Sequence, residues 1–239
     1  MVSYDRQTID SPNPLAKFAH RRRVARSILL ADKLLPVNGV IVDFGAGPGL
    51  FLRELGNNRP DARLYAIEPF MQPSTYPRIK YIENFSSLEL KADVISAFET
   101  CEHLSDSELD LFLDSCASAL KDGGRLVVSV PIMIGLALPL KVLNRSILFG
   151  RAPDYSGSEL IAGIFGRAVQ RPVNRGPTHK GFDFRRLRRK ILEQFVIEQE
   201  VFSPLPLSWW LSSQVFFICR KLTADLTVGK LAPDQTGLS

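Results

Sequence analysis

The chain has 239 residues, of which 45% are hydrophobic, and a formal charge of +5, which fits a globular α/β domain with a sizeable core. Its three widely spaced cysteines, Cys101, Cys116 and Cys219, argue against a disulfide framework and a thiolate zinc site. No basic tract carries interleaved aromatic residues, so we do not expect nucleic acid as a partner.

The N-terminal segment, residues 1–14, is polar and is expected to be loose. It lacks the apolar core of a secretion signal. The most apolar stretch, Ile132–Leu143, contains Pro139 and Lys141 and is too short to span a membrane. We therefore expect a cytoplasmic protein without a transmembrane segment, one that can still touch a membrane surface.

A lead-in helix is predicted over residues 15–36, because Asn13-Pro14 supplies a start signal and apolar residues recur on one side. Strand-like and helical segments then alternate, which predicts a parallel, doubly wound sheet. A turn at 122–124 is expected before the fifth strand. The predicted strands are Val40–Phe44, Leu64–Ile67, Tyr81–Ile82, Val94–Phe98 and Arg125–Val130, and the helices include Gly49–Leu55 and Ser105–Leu120.

The alternation breaks after Pro131. Residues 132–178 are apolar at first and then rich in Gly, Arg and Pro, which we interpret as an inserted cap. A basic helix, 184–195, precedes two strands, 195–202 and 214–220, whose connection is too short for a crossover helix, so they should form an antiparallel hairpin. We predict one domain, 1–239, with a Rossmann-like α/β fold, a seven-stranded doubly wound sheet and a loose tail over 223–239.

The strongest motif is the segment Val40–Gly49, in which a buried strand runs into a loop with three glycines and then a helix. Glycines let the backbone approach a ligand closely, and the helix start offers free N–H groups. Glu68 ends the next strand, 19 residues after Gly49, where a carboxylate can accept both hydroxyls of a ribose. Nicotinamide-binding enzymes use GxGxxG, but here the pattern is GxGxG and Leu50 takes the sixth position.

The run DFGAGPG over 43–49, together with Glu68, Phe98–Leu104 and Leu120–Pro131, resembles the class I methyltransferases that use S-adenosyl-L-methionine (SAM). The resemblance covers roughly residues 38–131 and 195–221. It implies that Asp43 orders the loop and the methionine ammonium, and that Glu68 holds the ribose. The other cofactor-binding residues that it implies are Gly45, Ala46, Gly47 and Gly49 at the methionine end, Pro69 and Phe70 beside the adenine, Asn84 and Phe85 in place of the family's acidic residue, and Phe98 and Glu99 at the pocket floor.

Glu99, Glu102 and His103 are spaced so that one helical turn would project all three from one side, and His179 follows downstream. With His179 the arrangement resembles the Mg²⁺ sites of ubiquinone-pathway O-methyltransferases and of small-RNA 2′-O-methyltransferases. These four residues are therefore candidate metal ligands. Alternatively, His103, His179 and Glu102 contact the acceptor or act as a base without metal, or Glu102 pairs locally and His103 packs against the sheet.

The leading hypothesis is a SAM-dependent methyltransferase acting on a small-molecule or lipid-linked acceptor at oxygen. A metal-assisted RNA 2′-O-methyltransferase and a SAM-binding partner subunit without catalysis are the alternatives. The apolar segment 132–140 and Trp209-Trp210-Leu211 could form a lipophilic entrance or a peripheral membrane contact. They could equally form a cap whose tryptophans fill its seam with the domain.

Overall fold

The computed structural model describes residues 14–70, 75–149, 154–167, 169–172, 179–204 and 208–222. The opening segment up to residue 13 and the tail over 223–239, both expected to be loose, lie outside this part of the chain, as do several stretches of the predicted cap.

The first helix, α1, runs from Pro14 to Leu34, close to the predicted lead-in helix. Pro14 suits a first helical position, where the missing N–H costs no hydrogen bond. Leu30, Ala31 and Leu35 bury the end of this helix against the sheet. Arg59 fixes that same end, because its guanidinium donates to the carbonyls of Leu35 and Pro36 and to the carboxylate of Asp32.

Seven strands form one sheet in the order β3-β2-β1-β4-β5-β7-β6. The first five are parallel, whereas β7 pairs antiparallel with both β5 and β6, which confirms the predicted fold class and its C-terminal hairpin. The strands are β1 Val40–Phe44, β2 Arg63–Ile67, β3 Ile79–Tyr81, β4 Ala92–Phe98, β5 Leu120–Pro131, β6 Phe195–Ser203 and β7 Gln214–Lys221.

Helices cover both faces of this sheet. Ile41 packs in a cluster with α1 and α2, while its neighbour Val42 packs in another with α3 and α6, because successive strand residues face opposite sides. The further helices of the described residues are α2 Leu50–Asn58, α3 Asp106–Ala119, α4 Ala137–Phe149, α5 Gly157–Ile164 and α6 Phe184–Gln194.

Two predictions about the strands need correction. The third strand is Ile79–Tyr81 and does not reach Ile82, although the N–H of Ile82 still bonds to the carbonyl of Ala66. The predicted turn at 122–124 is part of β5, which begins at Leu120 because that residue pairs with Ala92. The glycines there form a bulge, with Gly123 at φ 81°, before regular pairing resumes.

The region predicted as a cap contains α4 and α5, which contact the loop of the C-terminal hairpin. The N–H of Leu136 donates to the carbonyl of Trp210, and the Trp210 indole N–H donates to the carbonyl of Ile164. Leu138 is buried and packs so closely on Gly163 that a Cβ there would lie 2.4 Å from it. Within the described ranges, no helix is long and apolar enough to cross a membrane.

Candidate functional site

The glycine loop follows β1, at the point in the sheet where the strand order reverses. Gly45, Gly47 and Gly49 have φ values of 73°, 54° and 72°, which only glycine adopts without penalty. The N–H of Gly45 donates to the carbonyl of Ile67 at 2.8 Å, so the loop is fixed to the end of β2. Crevices at such switch points are where open α/β sheets bind ligands.

Glu68 lies beside this loop, directly after β2. One carboxylate oxygen accepts the N–H of Gly47 at 2.7 Å, and the other accepts the N–H of Phe70 at 2.8 Å. Each carboxylate oxygen can accept more than one hydrogen bond. The group is therefore oriented by backbone amides and can still receive hydroxyl donors from a ligand.

Asp43 is the penultimate residue of β1 and is buried. It lies opposite Ser96 of β4 in the parallel register, and the Ser96 hydroxyl donates to its carboxylate at 2.7 Å. Burial raises the pKa of Asp43 to about 7, and the negative charge of Glu68 adds to the rise, while the hydrogen bond from Ser96 opposes it. A positively charged ligand group near this carboxyl would favour its ionised form.

Thr100 covers the glycine loop from the end of β4. Its hydroxyl donates to the carbonyl of Phe98 at 3.1 Å and that of Phe44 at 3.3 Å. A Cβ on Gly45 would lie 2.4 Å from the hydroxyl oxygen of Thr100. Gly45 is thus required both by its backbone angle and by this contact.

A short 3₁₀ turn, Cys101–His103, follows Thr100 and brings three of the predicted residues together. The Glu102 side chain is completely buried, and its Oε1 lies 4.0 Å from Nε2 of His103 and 3.9 Å from Nδ1 of His179. The two imidazole rings lie 5.1 Å apart, and the His103 side chain is 54% exposed. The ligand atoms of these three residues all lie within 4.8 Å of one another.

The Glu102 carboxylate is unusual because neither oxygen has a hydrogen-bond partner within the described ranges. Burial raises the pKa of this group well above its ordinary value, and the charge of Glu99 adds to the rise. Burial lowers the pKa of His103. The backbone of the same turn is held by Arg171, whose guanidinium donates to the carbonyl of Glu102.

Glu99 lies outside this group. Residues 99–103 do not form one helical turn, because the 3₁₀ turn begins at Cys101 and Glu99 has a left-handed backbone with φ 54°. Its carboxylate instead accepts hydrogen bonds from Arg23 at 3.0 Å and from the side-chain amide of Gln214 at 2.8 Å. Glu99 therefore joins α1, β4 and β7 at the edge of the site.

The sequence around this site matches a known protein family. A family model described as a methyltransferase domain matches residues 16–143, which is more than half of the chain. The chain belongs to this methyltransferase family. The predicted class I, SAM-dependent enzyme is thereby confirmed, and the glycine loop and Glu68 lie within the matched residues. None of the curated proteins matches the sequence.

Solved structures share the fold of this methyltransferase at low sequence identity. A SAM-dependent methyltransferase from Clostridium acetobutylicum matches with a TM-score of 0.55 and 12% identity, over 92% of this chain and 96% of that one. The magnesium protoporphyrin IX methyltransferase ChlM from Synechocystis, with bound S-adenosylhomocysteine (SAH), matches with a TM-score of 0.51 and 18% identity, over 88% of each chain. The match to CalO1, a methyltransferase in calicheamicin biosynthesis, has a TM-score of 0.47 and 14% identity and covers 83% of this chain. This chain spans only 54% of the length of CalO1.

The remaining predicted cofactor residues have varied surroundings in the methyltransferase. Pro69 and Phe70 are exposed, Phe70 at 93%. Asn84 caps the 3₁₀ turn Phe85–Ser87, because its side-chain oxygen accepts the N–H of Ser86 at 2.9 Å. Phe85 stacks on Phe44 with ring centroids 5.9 Å apart. Phe98 packs edge-on against Phe51 at 4.8 Å, beneath the loop and the start of α2.

Sequence reasoning missed four residues that build the site of the methyltransferase: Arg23, Ser96, Thr100 and Gln214. Ser96 had a signal, since a hydroxyl inside an otherwise apolar buried strand needs a partner. Arg23 was hidden in a run of three arginines, of which the other two are exposed. Thr100 and Gln214 had no signal, because the glycine loop that Thr100 covers and the Glu99 carboxylate that Gln214 binds are both distant in sequence.

Proposed function

We propose that this methyltransferase works in the cytoplasm and transfers the methyl group of SAM to an oxygen atom of a small-molecule or lipid-linked acceptor. The observation that carries the proposal is the buried Glu102 carboxylate between His103 and His179, in the 3₁₀ turn that follows Thr100. An oxygen acceptor differs from an amine in needing its proton removed, and this cluster can do so. The three cysteines are all buried free thiols, as is usual in a reducing compartment.

In this proposal the glycine loop and its neighbours hold the cofactor. Asp43 and the backbone of Gly45–Gly49 face the methionine portion, and Glu68 accepts the ribose hydroxyls. The amides that already orient Glu68 place its carboxylate without further ordering. Because the Asn84 oxygen is used to cap its own turn, the adenine contact in that region would come from the Asn84 amide or the backbone.

The proposed reaction is an in-line displacement. The acceptor oxygen attacks the methyl carbon of SAM, the carbon–sulfur bond breaks, and its electron pair stays on sulfur to give S-adenosylhomocysteine. Neutral His103 takes the acceptor proton, because burial lowers the pKa of its imidazole and its side chain remains half exposed. The positive charge of the imidazolium would favour ionisation of Glu102, 4.0 Å away, and the resulting carboxylate would stabilise it.

The same three residues also fit a divalent cation. A fully buried carboxylate whose oxygens lack hydrogen bonds is costly, and a cation among these donors would satisfy it. With Glu99 bound elsewhere, the donor set is two imidazoles and one carboxylate, which suits Zn²⁺ or Mn²⁺ better than Mg²⁺. When bound, such an ion would lower the pKa of an acceptor hydroxyl. Glu102, His103 and His179 would hold it.

The test is transfer of a ¹³C-labelled methyl group from SAM into cell extract by the purified protein, with the label located by NMR. We expect label on an oxygen of a low-molecular-weight or lipid fraction. The variant His103→Ala should keep SAM affinity, measured by calorimetry, and lose transfer by about a hundredfold or more. Label on nitrogen or carbon would refute the proposal, and label released by ribonuclease would favour the RNA alternative. Intact SAM binding without any transfer would favour the partner subunit.

A further inference from the structure

Helix α4 exposes apolar residues on the side that faces away from the core. Leu138 and Val142 are buried on the inner side. On the outer side lie Leu140 and Leu143, together with Leu136 directly before the helix, and these three side chains are between 41% and 70% exposed. A surface helix of a soluble protein normally carries polar residues there, so this face is suited to an apolar surrounding.

A second exposed apolar pair lies on α5 and its C-terminal end. Ile161 and Phe165 are four residues apart and are 61% and 76% exposed. Trp210 connects the two helices, because its carbonyl accepts the N–H of Leu136 and its indole N–H donates to the carbonyl of Ile164. We give the name cap patch to the six exposed apolar side chains of these neighbouring segments: Leu136, Leu140, Leu143, Ile161, Phe165 and Trp210.

The charge of the chain is concentrated in the same region. Residues 132–178 contain six Lys and Arg residues but only two Asp and Glu residues, so they account for four of the five net positive charges. The rest of the chain is almost neutral. An apolar patch within a strongly basic segment is complementary to a surface that is apolar below and anionic above.

We propose that the cap patch docks on the surface of an anionic lipid bilayer. The aliphatic side chains and Phe165 would enter the region between headgroups and acyl chains, and Trp210 would lie at the headgroup level, where tryptophan is favoured. Arg167, exposed just after the end of α5, would contact anionic headgroups, whereas Lys141 donates to the carbonyls of Ile132 and Ser213 and Arg171 to that of Glu102. A second copy is a poorer occupant, because two segments of the same net charge would repel each other. This inference does not depend on which residue acts as base or on which atom is methylated.

The test is flotation of the full-length protein with vesicles of phosphatidylcholine alone and with added phosphatidylserine. We expect binding to the anionic vesicles that weakens as NaCl is raised from 0.1 to 0.5 M. The double variant Leu140→Ser/Phe165→Ser should reduce the partition coefficient by about tenfold or more. The matched control is Leu111→Ser, since Leu111 is 67% exposed on α3 and lies outside the cap patch.

Light scattering and a SAM titration accompany each variant, so that loss of fold or of cofactor binding is separated from loss of membrane binding. Absence of vesicle binding overturns the proposal, as does equal loss in the Leu111→Ser control. A dimer that the double variant dissociates also overturns it and assigns the patch to a second copy. Vesicle binding by a protein that lacks oxygen-directed transfer would support this inference while refuting the proposed function.

Discussion

Arg23 of α1 donates a 3.0 Å hydrogen bond to the carboxylate of Glu99 at the end of β4. The same carboxylate accepts the side-chain amide of Gln214, which also donates to the hydroxyl of Ser129. The first helix is thereby linked to three strands at the edge of the proposed active site. Because both ionic side chains are partly exposed, the link contributes modestly to stability and can open.

Replacing Arg23 with alanine should loosen α1 without unfolding the protein. We expect amide hydrogen exchange in α1 to become faster by up to about fivefold, since an exposed ion pair contributes up to about 1 kcal/mol. Hydrogen exchange followed by mass spectrometry measures this directly. Arg21→Ala is the control, because Arg21 is exposed on the same helix. Equal exchange in wild type and Arg23→Ala would show that the link does not hold the helix.

Gly45→Ala should lower SAM affinity by more than about tenfold and destabilise the fold by about 1–3 kcal/mol. The added Cβ meets the Thr100 hydroxyl at 2.4 Å, and the backbone angle of 73° is strained for alanine. Calorimetry and urea unfolding give the two values. Gly123→Ala is a matched control, because Gly123 has φ 81° but nothing lies within 4 Å of its Cβ position. If both variants bind SAM alike, the contact with Thr100 is unimportant.

Glu68→Gln should weaken SAM binding by about tenfold to a hundredfold while the fold is retained. In the wild type, the two carboxylate oxygens of Glu68 accept the amides of Gly47 and Phe70. Glutamine has only one acceptor oxygen, so it cannot accept both amides and the ribose hydroxyls as the carboxylate can. A titration with S-adenosylhomocysteine provides the measurement. Glu89→Gln serves as the comparison, since that carboxylate pairs with Lys80 on the surface. Unchanged affinity in Glu68→Gln would remove Glu68 from the cofactor site.

Asp43 should make the stability of the protein depend on pH. Its pKa rises from 3.8 to about 7 on folding, so the folded state holds the proton more tightly than the unfolded state. Stability from this group is therefore fully present below about pH 4 and is lost, by on the order of 4 kcal/mol, as the pH rises to 7. The free energy of unfolding of Asp43→Asn should therefore exceed that of the wild type, and this difference should be larger at pH 7.5 than at pH 5.

Urea unfolding at these two pH values checks the sign. Ser96→Ala should steepen the dependence, because it removes the hydrogen bond that lowers the pKa of Asp43. The interpretation is refuted if Asp43→Asn differs from wild type by the same amount at pH 5 and pH 7.5. Asp43→Asn should also bind SAM more weakly, since it cannot carry the negative charge.

Metal affinity should distinguish the two roles proposed for Glu102, which are to bind a divalent cation or to support His103 as a base without metal. If the cluster holds an ion, Zn²⁺ or Mn²⁺ should bind more tightly than Mg²⁺, and Glu102→Gln should weaken binding by about tenfold or more. Calorimetry with each ion in the absence of SAM gives the affinities. Glu99→Gln should have a smaller effect, because Glu99 lies outside the group of three ligands. No binding by wild type would leave His103 acting as a base without metal.

Much of the fold could be predicted from the sequence because local patterns determine it. The strands carry buried apolar runs, and Ser105 with Glu108 forms the capping box that starts α3. The start of β5 at Leu120 was not predicted, because Gly123 and Gly124 interrupt the strand with a bulge and the pairing of Leu120 depends on Ala92, far away in sequence.

The candidate site was predictable only in part. Gly45, Gly47, Gly49 and Glu68 are set by one strand–loop–helix segment and the strand after it. The separation of Glu99 from Glu102 was not predictable, because it depends on Arg23 and Gln214, 76 and 115 residues away. A spacing of three residues places side chains together only if a helix forms, and here the backbone at Glu99 prevents that.

Arg59 fixes the C-terminal end of α1 more firmly than the part of the helix near the active site is fixed. Its guanidinium ties the C-terminal end of the helix to the turns before β1 and β2 through Asp32, Leu35, Pro36 and Asp61. The middle of α1 is held near the active site through Arg23, whose partly exposed guanidinium donates to Glu99. If the contact between Arg23 and Glu99 breaks, we expect the part of α1 around Arg23 to loosen before its C-terminal end, which Arg59 and the packing of Leu30 and Ala31 hold in place.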